Sequence, residues 1–287
     1  MRLGVVGMLP DDFRRYTPAQ MQSIAALGFA GFGCHLGGAL APEITPADCE
    51  QFVALCAAAE LELVQFSLSY NECLFAPDPA TRAAVTETIG RGIELARRLG
   101  ASAFLIRPGS LNPAGPWTPH RDNQRPDSMA RLVDTLRPIV ARAEAEGVLL
   151  VIETHAISIL DSPETCAEVV EAAGSDKLRL VMDPVNHFQS LRQVYCSADR
   201  LNQIFDIMGP IAPLAHIKDI AVRNSLVLHL DEEVPGEGEL EIGVLLQRFQ
   251  AQHPDGYGLI EHLPIDKVPL ANANVRRIAA ECGVPIV

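Results

Sequence analysis

Val148-Leu-Leu-Val-Ile-Glu153-Thr-His155 runs through five apolar residues and stops on a carboxylate. An unbroken apolar run of this length suits a strand buried on both faces, as in a parallel sheet. The runs that follow end in the same manner: Leu178-Arg-Leu-Val-Met-Asp183-Pro-Val-Asn186-His187, Leu214-Ala-His216-Ile-Lys218-Asp219 and Leu259-Ile-Glu261-His262. Working outward, eight short apolar segments recur along the chain: Leu3–Met8, Phe29–Cys34, Leu61–Ser67, Ala103–Arg107, Val148–Glu153, Leu178–Met182, Leu214–Lys218 and Gly258–His262.

The segments between them carry helix signals. Thr81–Leu99 sets Val85, Ile89, Ile93, Ala96 and Leu99 on one face and stops at Gly100, a residue suited to the left-handed position that ends a helix. Ser162-Pro163-Glu164 offers an N-cap, a first-turn proline and an acid near the positive end of the dipole. Asp127–Glu146 is helical in spacing and ends at Gly147, with Pro138 expected to kink it or split it in two. Eight strand–helix units in 287 residues predict a single α/β domain over residues 1–287, a (β/α)8 TIM barrel. The competing doubly wound sheet would carry a Gly-rich phosphate turn after its first strand, and Gly4-Val-Val-Gly7-Met-Leu-Pro10 does not supply one. Two long connections, Pro108–Pro126 and Asp219–Glu239, read as loops on the functional side.

Composition narrows the function classes. A formal net charge of −13 opposes nucleic-acid backbones and anionic membranes as partners. No apolar run is long enough to span a bilayer, and the N-terminal one is too short for a signal peptide, so a cytoplasmic protein is expected. The seven cysteines form no Cys-x-x-Cys pair and read as small apolar residues in a reducing compartment.

In a barrel of this kind, reacting groups come from the C-terminal ends of several strands. Here four consecutive strands end in Glu153, Asp183, His216 and Glu261. Taken singly, each has an ordinary explanation: a salt bridge for Glu153, a turn for Asp183 before Pro184, a hydrogen-bonded core histidine for His216. Together at one rim they require a cation, and three oxygens with one imidazole suit a single divalent ion, Mn2+, Mg2+ or Co2+.

At these residues the chain resembles the sugar isomerase/epimerase superfamily of xylose isomerase-like barrels. The resemblance is carried by Val151-Ile-Glu153-Thr-His155, Met182-Asp183-Pro-Val-Asn186, His216-Ile-Lys218-Asp219, Gly236-Glu-Gly238 and Ile260-Glu261-His262, and it covers nearly the whole chain. It implies Glu153, Asp183, His216 and Glu261 as metal ligands, Glu153 and Glu261 as the acid/base pair, and a homo-oligomer. Related ketose epimerases place a histidine three positions after the sixth-strand Asp; this chain has Asn186 there and His187 next to it.

Such a site acts on a small polyhydroxylated substrate. Isomerisation or epimerisation of a sugar or keto-sugar through an enediolate is the leading expectation, and water loss from a related keto-sugar or hydroxy acid is the alternative. A nuclease of damaged DNA and a non-catalytic sugar sensor are further readings, the first opposed by the charge. Expected substrate contacts are Asn186, His187, His155 and Lys218 beside the ligands, Arg107 and Arg223 as forks for a carboxylate or phosphate, and Trp117 and His120 as a cover. His35 ends the second strand beside Gly37-Gly38, which would let backbone approach a ligand.

Overall fold

A computed structural model describes residues 1–287. Eight parallel strands close into a barrel in the order β1-β10-β7-β6-β5-β4-β3-β2. They are β1 (Arg2–Val5), β2 (Gly31–Leu36), β3 (Glu62–Leu68), β4 (Ala103–Ile106), β5 (Leu150–Ile152), β6 (Leu178–Met182), β7 (Leu214–Ile217) and β10 (Tyr257–Ile260). Each observed strand overlaps its predicted apolar run. The remaining two, β8 (Asp219–Val222) and β9 (Leu230–Glu233), form an antiparallel hairpin. The segment Asp219–Glu239, read from sequence as a loop, is thus partly a hairpin. Its strand Leu-Asp-Glu-Glu lacks the apolar alternation that would announce one.

The helices are α1 (Pro18–Ala26), α2 (Pro46–Ala59), α3 (Pro79–Leu99), α4 (Pro126–Glu146), α5 (Pro163–Ala173), α6 (Leu191–Tyr195), α7 (Ser197–Met208), α8 (Ile242–Gln252) and α9 (Val268–Glu281). Their starts are chemically marked. Thr17 with Gln20 and Thr45 with Asp48 form capping boxes, and the Ser162 hydroxyl accepts from the Thr165 N–H. Gly100 and Gly147 close α3 and α4 at φ of +70° and +73°. Pro138 does not split α4, which remains one helix. Both Pro138 and Asp134, whose carbonyl loses its usual donor, lie on the exposed face, so water can replace the missing bond.

Strand periodicity places the site. Val64, Ala103, Val151, Val181, Leu214, Tyr257 and Leu259 form an apolar layer inside the barrel, separate from the larger core between strands and helices. Side chains two residues further along a strand return to the same face. Val151 therefore leads to Glu153, Val181 to Asp183, Leu214 to His216 and Lys218, and Leu259 to Glu261. On β3 a bulge re-aims the chain: Phe32 pairs with Leu63, but Gly33 pairs with Gln65, leaving Val64 as the extra residue. Val64 and Gln65 then both serve the interior. Of the cysteines, five are buried as expected for small apolar residues, whereas Cys196 is exposed. No helix is long and apolar enough to cross a membrane.

Candidate metal centre

Glu153, Asp183, His216 and Glu261 converge at the C-terminal rim, each offering one donor atom, with all four atoms within 4.8 Å of one another. Asp183, His216 and Glu261 are buried, while Glu153 retains surface open to a cavity of about 210 Å3. His216 Nδ1 lies 2.9 Å from Glu261 Oε1 and 3.5 Å from Asp183 Oδ2. Its other nitrogen, Nε2, lies 2.8 Å from Gln65 Oε1. A ring whose Nε2–H donates to that carbonyl turns Nδ1 toward the carboxylates, the arrangement found behind metal-bound imidazoles.

Lys218 is buried in the same cluster, with Nζ 2.6 Å from Asp183 Oδ2 and 2.7 Å from Glu261 Oε1. The alternation of His216 and Lys218 along one face of the chain accounts for both reaching the same acids. Three carboxylates against one ammonium leave two negative charges beside a neutral imidazole, which one divalent ion would balance. Asp183 Oδ1 is buried with no hydrogen-bond partner, whereas His216 Nδ1 and Glu261 Oε1 have each other, Asp183 and Lys218 as close polar neighbours. A buried carboxylate oxygen left unpaired among these donors suits coordination of a divalent cation.

The electrostatics follow from burial and crowding. Burial, then the neighbouring Glu261, push the Glu153 carboxyl up. Burial acts in the same direction on Glu261, but His216 and Lys218 outweigh it and hold that carboxyl well below its ordinary value. Asp183 is also lowered, burial being outweighed by Lys218 and His216. Burial opposes charge on His216, yet Glu261 and Asp183 push it up to about 10. A metal taking Nδ1 therefore displaces a proton.

The profile of the xylose isomerase-like TIM barrel family matches residues 21–280. The chain belongs to that family. No curated protein matches it in sequence. Among solved structures, the 3-keto-D-glucoside 4-epimerase of E. coli is similar at TM-score 0.72 and 15% identity, over 98% of this chain and 99% of the other. A xylose isomerase-like TIM barrel protein from Mycobacterium smegmatis, solved with magnesium, has TM-score 0.70 and 15% identity over 98% and 96%. The probable 3-DHS dehydratase of Bacillus anthracis has TM-score 0.69 and 15% identity over 97% and 99%. At these identities the likeness is one of fold.

In this xylose isomerase-like barrel the remaining predicted residues divide. Asn186 donates to Asp183 Oδ2 (2.9 Å) and to the Thr154 carbonyl (3.0 Å), so it aims a carboxylate and ties two loops together. His187 is fully buried against the Thr154 hydroxyl at 2.8 Å, and burial lowers its pKa to about 4. His155 is half-buried, with its ring 6.0 Å from that of the exposed Trp117. Arg107 lines the cavity. Arg223 is not brought there: it lies on the hairpin, where it pairs with Asp231 and Glu233. The His120 ring accepts from the Asp122 N–H within its own loop. Gly38 does allow a close backbone approach, but to the Ser69 carbonyl of this chain, which a Cβ would meet at 2.0 Å.

Sequence reasoning missed three participants. Gln65 is the one amide inside the run Leu61–Ser67, a signal that was available. Glu232, on the hairpin, reaches His262 Nδ1 at 3.1 Å and Lys218 Nζ at 3.5 Å. Tyr70 packs on Arg107. His262 has φ of +59° and lines the cavity; a non-glycine residue held there marks a strained position beside the site.

Proposed function

We propose that the chain is a divalent-metal-dependent isomerase or epimerase of a small sugar or keto-sugar, working by proton transfer between carboxylates and substrate. The observation that carries the reading is the buried cluster of Glu153, Asp183, His216 and Glu261, its donor atoms within 4.8 Å of one another, opening on a cavity of about 210 Å3. That volume holds several water molecules and suits a small molecule. A Mn2+, Mg2+ or Co2+ ion held by the four residues would supply Lewis acidity that polarises a carbonyl and stabilises the enediolate left by the departing α-proton.

Glu153 faces the cavity and takes the proton. Glu261 lines the same cavity and is its acid/base partner, with a proton returned to the opposite face or to the adjacent carbon. Lys218 and Asn186 fix the Asp183 carboxylate. His155 and Trp117 form part of the approach, and His187 braces the loops behind it. The working unit is the whole of residues 1–287, cytoplasmic and assembled as a homo-oligomer.

Loss of water is the second reading, favoured by one observation. The position that carries a substrate-touching histidine in ketose epimerases is Asn186, engaged with Asp183 and Thr154. Incubation with keto-sugars and hydroxy acids in heavy water with Mn2+ separates these outcomes. Deuterium next to the carbonyl is expected for proton transfer; unsaturated product marks the lyase, and turnover without label marks a hydride shift. Absence of both label and turnover, with no bound metal, overturns the proposal.

A further inference from the structure

We infer that the cavity wall formed by β2, β3 and β4 is an anion subsite, and that the substrate carries a carboxylate there, as an acid derived from a sugar or keto-sugar does. The inference rests on the cavity being the substrate site proposed above and specifies what enters it. Six of its ten lining residues sit on or just beyond these three strands: His35, Gln65, Ser67, Leu105, Ile106 and Arg107. The only acids lining it, Glu153 and Glu261, belong to the metal cluster on the other wall.

Arg107 is the centre of the subsite. Its guanidinium forms no ion pair, and its Nε is buried without a hydrogen-bond partner. It is held in place by other means. The guanidinium stacks on the Tyr70 ring, 4.4 Å from the centroid, and Nη2 donates to the Tyr70 carbonyl. The Tyr70 hydroxyl accepts from the Arg107 N–H and donates to the Arg107 carbonyl, both at 2.8 Å. A planar donor fork is thereby oriented in advance of any ligand, which is the arrangement that recognises a planar carboxylate. Beside it, His35 Nδ1 and Ser67 Oγ lie 2.8 Å apart. Burial lowers the His35 pKa, with Asp11 opposing and Arg107 adding to the shift, which favours an uncharged ring that offers a hydrogen bond without a second counterion.

The charge balance points the same way. Lys218 pairs with two carboxylates of the cluster and a divalent ion held there would balance the remaining charge, while Arg107, which lines the same small cavity, makes no ion pair. A substrate with its carbonyl and hydroxyl at the metal and its carboxylate at Arg107 leaves neither charge uncompensated. A neutral sugar would leave the guanidinium without an anion.

Binding of D-glycerate, glycerol and inorganic phosphate by calorimetry tests this, on the full chain stripped of metal and again loaded with Mn2+. The stripped protein removes direct carboxylate–metal contact from the comparison. Glycerate should bind about tenfold or more tightly than glycerol in both states, as a charge-assisted hydrogen-bond pair implies. Arg107→Gln should bring the two within about threefold, and Arg107→Lys, which keeps the charge but not the fork, should fall between. Should Arg107→Gln not fold, as judged by its thermal melt, His35→Asn should still weaken glycerate and leave glycerol unchanged. A preference indifferent to these substitutions overturns the subsite. Phosphate binding more tightly than glycerate, with the same dependence on Arg107, overturns the carboxylate in favour of a phosphoryl group. The metal reading fails separately: a protein that takes up no Mn2+ but keeps the Arg107-dependent preference has lost the proposed chemistry and not the subsite.

Discussion

At the scale of single residues, the His216–Gln65 contact shows how a site depends on a side chain that does no chemistry. Gln65 is buried, and its carbonyl lies 2.8 Å from His216 Nε2. Gln65→Leu leaves that N–H without an acceptor and frees the ring to turn. Divalent-ion affinity should fall by about 10–100-fold, as when the outer partner of a ligating histidine is removed. Competition with a fluorescent chelator measures this, and an affinity equal to that of the native chain would remove Gln65 from the site. That Glu153, Asp183, His216 and Glu261 end strands at one rim was legible because each terminates an apolar run. Their partnership with Gln65 was not, since it joins positions 151 residues apart through a bulge that strict alternation does not predict.

At the scale of elements, the β8–β9 hairpin explains two motifs that spacing alone left without a mechanism. Asp219, the acid of His216-Ile-Lys218-Asp219, is fully buried and lies outside the cluster of Glu153, Asp183, His216 and Glu261. Its carboxylate accepts from the N–H groups of Ile220, Gly236, Gly238 and Leu240 at 2.9–3.0 Å. The glycines of Gly236-Glu-Gly238 are there for that carboxylate. Gly236 has φ of +86°, and a Cβ on Gly238 would come within 2.4 Å of Asp219 Oδ1. Asp219 thus pins the end of the segment that carries Glu232 over Lys218 and His262. Asp219→Asn turns an amide N–H toward other donors and should destabilise the fold by roughly 3 kcal/mol. Urea unfolding would show the loss, with faster amide exchange confined at first to residues 219–240. Exchange unchanged in that segment would mean that the hairpin is held by other contacts. Read as a loop, this element was missed because an acidic strand paired only to its neighbour carries no apolar pattern.

At the scale of the whole molecule, the barrel brings negative charge together and a bound cation should repay the repulsion. An ion that binds the folded chain alone, present at 100 times its dissociation constant, stabilises by about 2.7 kcal/mol. The melting temperature should then rise by roughly 5 °C or more with Mn2+, and His216→Ala or Glu261→Gln should abolish the rise. An unchanged melting temperature in the native chain at millimolar Mn2+ would contradict the charge argument. The amino-acid order by itself determined the barrel and the polar residue ending each strand, because both are written in local patterns: runs of apolar residues, caps and period-two alternation. Tertiary structure alone decided which polar groups share a site. It set Lys218 between two acids, gave Gln65 to His216, left Arg107 without an anion and carried Arg223 out onto the hairpin. Those outcomes depend on distances between strands far apart in the chain, and no local pattern encodes a distance across a closed barrel.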